Sequence, residues 1–229
     1  LGWSTCGTRT EGGTQSIHRQ LEDEVADYLG KEDALVLGMG FATNSTVLPA
    51  LFEAKAGGKG MLVLSDELNH RSIVEGVRLS GTTVRAFTHN NMPALEKELK
   101  RAVEEGQPGS GAPWRKIFVV VEGIYSMEGD FCRLREIVTL KNRYGAYLYL
   151  DEAHSIGAVG ATGRGVTELF GVPPSEVDVM MGTFTKSFGS AGGYVAASKD
   201  VIAALRRSAP GSIFAGGMAP PCAAQAIQA

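Results

Sequence analysis

Cysteine is scarce: Cys6, Cys132 and Cys222 are the only three in 229 residues, and no two share a C-x-x-C spacing. That pattern gives neither a thiolate metal site nor a disulfide framework, so no metal is expected and a reducing compartment is the default. No stretch approaches the ~20 apolar residues of a membrane-spanning helix. The longest purely aliphatic or aromatic run, 117–121, is strand-sized, and no signal-peptide pattern stands at the start. Positive charge is not in excess, with 22 Lys and Arg against 25 Asp and Glu and a net charge of -3, which argues against nucleic acid as a bulk partner. A phosphate loop of the G-x-x-x-x-G-K-[ST] type is missing, as are internal repeats and low-complexity segments.

What is present fits an α/β protein. A hydrophobic fraction of 44% and a charged fraction of 21% are those of a soluble globular chain long enough to bury a full core. Glycine is abundant, 30 of 229 against a usual ~7%, as tight strand-to-helix loops require. The hydrophobic periodicity alternates between helices and strands. It predicts helices over 17–29, stopped by Gly30, and from Gly40 toward 51, from 71 to about 80, from Pro93 onward and over 134–144. Strands are predicted at 34–37, 61–66, 83–87, 117–121, 146–150, 177–181 and 194–197, with a surface loop at 107–113. One domain is the simplest reading. The chain starts at Leu1 without methionine and stops at Ala229 in a helix-like pattern begun after Pro220-Pro221, which reads as a piece of a longer protein.

The chemistry concentrates in two segments. Lys186 lies in GTFTKSFG at 182–189, downstream of a strand that ends in DEAH at 151–154. An ammonium is costly to place in an otherwise apolar Gly/Ser/Thr turn, and desolvation would make the amine nucleophilic. Asp151 offers a carboxylate that can keep a pyridine nitrogen protonated, and His154 an imidazole that can hydrogen-bond the ring. A Schiff-base lysine with an Asp partner for a pyridinium is the signature of pyridoxal phosphate. The bland reading is a capping Asp, a surface His and a solvated Lys. D-E-A-H is also a nucleotide-hydrolysis motif, but that use needs the missing phosphate loop.

Other candidates also follow predicted strands, where ligands bind in such sheets. Gly40 and Phe41 open a helix whose free N–H groups suit a phosphate, although a plain strand–helix turn reads the same way. Thr183 offers a hydroxyl to a phosphate. Ser126, in EGIYSMEGD, is a cofactor contact or a turn residue. His70, in SDELNH, can stack on an aromatic cofactor and touch a substrate carboxylate, or simply start a helix. His18 is taken as structural and His89 as a loop residue.

These blocks, GMGFATN at 38–44, SDELNH at 65–70, VEGIYSMEG at 121–129, YLYLDEAHSIG at 147–157 and MMGTFTKSFGSAGGY at 180–194, resemble the α-oxoamine synthases among the fold-type-I pyridoxal-phosphate enzymes. The resemblance covers nearly the whole chain and implies that family's large domain, a mostly parallel sheet flanked by helices. It implies Lys186 as the Schiff-base lysine, Asp151 at the ring nitrogen, His154 at the ring's phenolic oxygen and His70 stacked on the ring. Gly40 and Phe41 would lie at the phosphate, with Ser126 and Thr183 as further cofactor contacts.

Within the family the blocks are most similar to members that condense L-serine with palmitoyl-CoA, losing CO₂, to give 3-ketosphinganine, the first step of sphingolipid synthesis. Such a protein is expected at the endoplasmic reticulum membrane, as a heterodimer with a lysine-lacking homologue. A sister synthase using glycine or alanine, and a non-catalytic scaffold subunit, are the alternatives. There are two departures from the family pattern. Arg71 follows the stacking histidine where a small residue is usual, and Gly216 stands in a stretch where relatives carry a hydroxyl that reaches a neighbouring subunit's phosphate. The family's substrate-carboxylate arginine would lie beyond this chain. The glycine-rich stretches 10–14 and 211–217 are expected to pack near a shared site.

Overall fold

Six of the seven strands are buried along almost their whole length, so the sheet they form must be covered on both faces. The computed structural model describes residues 4–52 and 60–229. In chain order the elements are α1 (Ser16–Leu29), β1 (Asp33–Leu37), α2 (Gly40–Leu51), β2 (Met61–Asp66), α3 (Arg71–Ser80), β3 (Thr83–Phe87), α4 (Met92–Glu105) and β4 (Lys116–Glu122). They continue as α5 (Leu134–Tyr144), β5 (Tyr147–Asp151), α6 (Gly165–Leu169), β6 (Val179–Thr183), β7 (Gly193–Ala197), α7 (Lys199–Ser208), α8 (Pro210–Ile213) and α9 (Pro220–Gln228).

The sheet order is β1-β7-β6-β5-β4-β2-β3. The run from β6 to β3 is parallel throughout, and β7 is antiparallel to both of its neighbours. β3, at the edge, is the one strand that is mostly exposed. One apolar cluster joins the sheet to α1, α4, α5 and α9 through Leu21, Leu95, Leu99, Ile137 and Ala223. The other joins it to α2, α3 and α7 through Val47, Leu48, Ile73, Val77, Ile202 and Leu205.

Gly30 ends α1 in the left-handed region at φ 65°, a conformation that costs glycine nothing. The strand expected at 177–181 begins two residues later. A 3-10 turn at Pro174–Glu176 precedes it, and the Asp178 side chain accepts from the backbone N–H of Leu148 at 2.8 Å, taking the place of a ladder bond. The strand then runs on through Gly182 and Thr183, which look like loop by composition but are buried. α6, α7 and α8 were not predicted; α7 buries only Ile202 and Leu205 in an otherwise charged segment.

The glycine-rich ends do pack on each other: Thr8 pairs with Gly216, and a Cβ on Gly217 would come 2.9 Å from the Gly13 carbonyl oxygen. His18 is structural, its Nε2 2.6 Å from the Met218 carbonyl oxygen. Below them Glu22, 1% exposed, meets three guanidinium groups: Arg9 at 2.8 Å, Arg19 at 2.9 Å and Arg206 at 2.9 Å. It also accepts from the Val36 N–H at 3.0 Å, so one carboxylate ties α1, β1, α7 and the N-terminal segment together.

Removing one partner of a buried ionic cluster leaves the others desolvated and uncompensated, at a cost of about 3–5 kcal/mol. Glu22→Ala is therefore expected to lower the thermal unfolding midpoint by many degrees. Arg101→Ala, which breaks an exposed pair with Glu105 on α4, should leave it nearly unchanged; equal effects in a denaturation series would contradict this assignment.

Candidate active site

In a parallel sheet the strands deliver their C-terminal residues to one edge, and here that edge carries the polar groups. Glu122 closes β4 and Asp151 closes β5, directly opposite each other in register. Thr183 closes β6, and His70 caps the helix that follows β2. The cleft above them is small and open-mouthed, with a cavity volume of about 120 Å³. Its walls include Gly40, Phe41, His70, Asp151, His154, Thr183 and Lys186, together with Asn44, Ser72 and Glu122. Of the residues proposed from the sequence as cofactor or catalytic contacts, only Ser126 lies elsewhere. It sits exposed in the turn after β4, where that strand's last residue, Glu122, faces the cleft instead.

Asp151 is 3% exposed. It accepts from Asn44 Nδ2 at 2.7 Å and from the Ala153 N–H at 2.9 Å. Among the described residues it has no cationic partner. Burial raises its pKa, and those two hydrogen bonds oppose the rise. The Asn44 amide also reaches Ser72 Oγ at 2.9 Å and takes the Tyr149 hydroxyl at 2.7 Å. Ser72 Oγ lies 2.8 Å from His70 Nδ1, and the backbone N–H of His70 donates to Glu122. Burial, then the adjacent charge of Asp151, pushes Glu122 up to about 8, against the pull of the His70 hydrogen bond. His154 is half-buried; burial lowers its pKa first, then the positive charge of Lys186.

The N-terminal turn of α2 supplies the anion-binding part. No side chain caps it, so its first N–H groups are without helical partners. Gly40 is required there, because a Cβ would lie 2.7 Å from Thr183 Oγ1. Thr183 is engaged within the chain: its hydroxyl donates to the Gly192 carbonyl at 2.9 Å and lies 2.8 Å from that of Thr185. Phe41 is 45% exposed, with its ring edge-on to His70 at 6.2 Å.

One expectation is corrected. Lys186 is exposed, not desolvated, because the turn that carries it projects beyond the sheet edge. Its amine forms no hydrogen bond or ion pair with the described residues, and it lines the same cleft as Asp151. His89, read as a loop residue, sits in the loop after β3 with Nδ1 2.9 Å from Asp66 Oδ1 and its ring against Tyr125.

Sequence reasoning passed over Glu122, Asn44 and Ser72. Each stands in a block already marked or within two residues of one, and Glu122 follows an unbroken apolar run. A carboxylate ending a buried strand was the available signal.

A family model described as aminotransferase class I and II matches residues 4–229. Long chain base biosynthesis protein 2b of Arabidopsis thaliana is 57% identical over 226 residues, 99% of this chain and 45% of that protein. Serine palmitoyltransferase 3 of Homo sapiens is 56% identical over 227 residues, 99% of this chain and 40% of that protein. A solved serine palmitoyltransferase from S. paucimobilis, with a bound PLP–myriocin aldimine, superposes with a TM-score of 0.88 at 33% identity, over all of this chain and 55% of that one. The chain thus spans less than half the length of these curated relatives.

The raised acid at Glu122 has a consequence for stability. Between the ordinary carboxylate value of about 4.3 and about 8, the folded protein keeps a proton that the unfolded chain releases. Stability should therefore fall as pH rises across that window and level off above it. Glu152, buried and pushed up to about 7, adds to the same slope. Glu122→Gln is expected to flatten the fall without abolishing it, measured as unfolding midpoint against pH; an unaltered slope would mean that Glu122 is ionised in the fold.

Proposed function

Because the chain belongs to the class I and II aminotransferase family, we propose that it forms the pyridoxal-phosphate-binding part of an enzyme that condenses L-serine with palmitoyl-CoA, losing CO₂, to give 3-ketosphinganine. The observation that carries this reading is the buried Asp151 carboxylate, held among the described residues by two neutral donors and no ion pair, sharing one cleft with the Lys186 amine, which has no partner among them.

The residues fit the cofactor. A buried carboxylate of this kind is satisfied by a positively charged ring nitrogen. The uncapped start of α2 and the missing Cβ at Gly40 leave room and N–H groups for a phosphate. Lys186 would hold the cofactor covalently through Nζ, with His154 and His70 at the ring and Thr183 beside the phosphate. Pyridoxal phosphate, when bound, supplies an electron sink for negative charge at the amino-acid α-carbon.

The chain's own groups then have definite tasks. Asp151 keeps the ring nitrogen protonated, and the hydrogen bonds from Asn44 and Ala153 favour the charged carboxylate that this requires. Lys186, which makes no ion pair with the described residues, would take the proton from the serine α-carbon as the neutral amine. Burial and the neighbouring charge of Lys186 favour the neutral form of His154, which suits hydrogen bonding more than charge.

The choice of serine and palmitoyl-CoA is supported by the names of the relatives above. A non-catalytic scaffold role is disfavoured by the presence of Lys186. The heterodimer, the endoplasmic reticulum setting and the reading of this chain as one large domain rest on the family resemblance. Among the described residues no helix is long and apolar enough to cross a membrane.

Lys186→Ala in the full-length enzyme should remove the borohydride-sensitive visible absorbance band and lower condensing activity by about 100-fold or more. Full activity in that variant would refute the role of the lysine. Asp151→Asn keeps a hydrogen-bonding group but no charge. It should retain some cofactor while losing about 100-fold or more in turnover, and near-normal exchange of the serine α-proton would count against the charge argument.

A further inference from the structure

Asn44 hydrogen-bonds three buried polar side chains at or beneath the cleft, those of Asp151, Ser72 and Tyr149, and its surroundings determine where each proton lies. It is 1% exposed, beside Tyr149 at 0%, Ser72 at 2% and Asp151 at 3%, so no bulk solvent competes for these bonds. A carboxylate only accepts, so the amide nitrogen of Asn44 must face Asp151, at 2.7 Å. Its second N–H goes to Ser72 Oγ at 2.9 Å, and its carbonyl oxygen takes the Tyr149 hydroxyl at 2.7 Å. A flipped amide would set oxygen against the carboxylate and leave the Tyr149 proton without an acceptor.

Ser72 Oγ accepts from Asn44 and so has its own proton to give. The neighbour that receives it is His70 Nδ1, at 2.8 Å. The backbone N–H of Ser72, which can only donate, points at the same nitrogen from 3.2 Å. Two donors on Nδ1 leave that nitrogen unprotonated, so the neutral ring carries its hydrogen on Nε2. Among the described residues Nε2 has no partner, and His70 lines the cleft.

We propose that Asn44 is a positioning residue of this site, a single amide that holds the Asp151 carboxylate and, through Ser72, locks His70 in the Nε2–H tautomer. The acid and the imidazole are thereby set together. His70 presents a donor to the cleft, the chemistry that recognises an anionic group such as the carboxylate of an amino acid. The hydrogen-bond argument stands on the chain alone, whereas its catalytic value rests on the reading given under Proposed function.

The test uses the full-length protein with ¹⁵N-labelled histidine, with and without pyridoxal phosphate. Before the cofactor is added, His70 is expected to show one tautomer, unprotonated at Nδ1. Asn44→Leu and Ser72→Ala should each give a mixture of tautomers. Asn44→Leu should also weaken pyridoxal-phosphate binding and lower kcat by about 10- to 100-fold, as loss of an outer hydrogen-bond partner does elsewhere. Ser72→Ala leaves the Asp151 arm intact and should raise KM for the amino acid more than it lowers kcat. If Asn44→Leu does not fold, Tyr149→Phe removes one oxygen, frees the amide to rotate and should shift both readouts in the same direction by less. A wild-type His70 protonated at Nδ1, or variants with an unchanged tautomer and unchanged cofactor affinity, would overturn the proposal. A wild-type protein that binds no pyridoxal phosphate would instead sink the functional reading, and the tautomer measurement would still decide the role of Asn44.

Discussion

Asp151 is a carboxylate almost wholly removed from water, and the geometry around the cleft follows from keeping it there. A lone buried carboxylate is unfavourable by several kcal/mol unless hydrogen bonds or a cation compensate. The described residues provide two neutral donors and no ion pair, which leaves the acid half-compensated and suited to a positively charged ligand. Parallel strands make this possible. β4 and β5 end level and β6 runs two residues further, so Glu122, Asp151 and Thr183 arrive on one edge with no long loop needed to bring them there.

The same constraint explains the neighbours. Asn44 reaches Ser72 because α2 and α3 pack very closely, and Gly76 permits it: a Cβ there would lie 2.6 Å from the Asn44 backbone carbonyl oxygen. Glu122, next to Asp151 in the sheet, tolerates that negative charge because burial favours its neutral form. Its bond to the His70 N–H then fixes the start of α3. Lys186 is placed differently: it stands on the exposed turn beyond β6, where a flexible amine can reach the cleft without being held by it.

Much of the architecture was legible from residue patterns. Short apolar runs gave every strand to within two or three residues; for the six buried strands the reason is that a strand covered on both faces has no polar position to blur the signal. The shift in β6 could not be read, since Gly182 and Thr183 become strand through pairing with β7 and Asp178 is diverted to Leu148. Among the site residues, those with distinctive chemistry at strand ends, Asp151, His154, His70 and Lys186, were found. Asn44 and Ser72 were not, because on a helix their composition matches any polar position; only their distances to Asp151 and His70 mark them.

The sequence by itself determined the chemistry on offer: an amine, a carboxylate, two imidazoles and a glycine-opened helix, each tied to a strand end by local spacing. Tertiary structure decided which of these share one cleft, that Ser126 is outside it, and that Lys186 is open to solvent. The physical reason is that local spacing fixes which strand or helix carries a residue. Hydrogen-bond partners and burial depend on how segments more than 100 residues apart, such as Asn44 and Asp151, are brought into contact by the sheet and its covering helices.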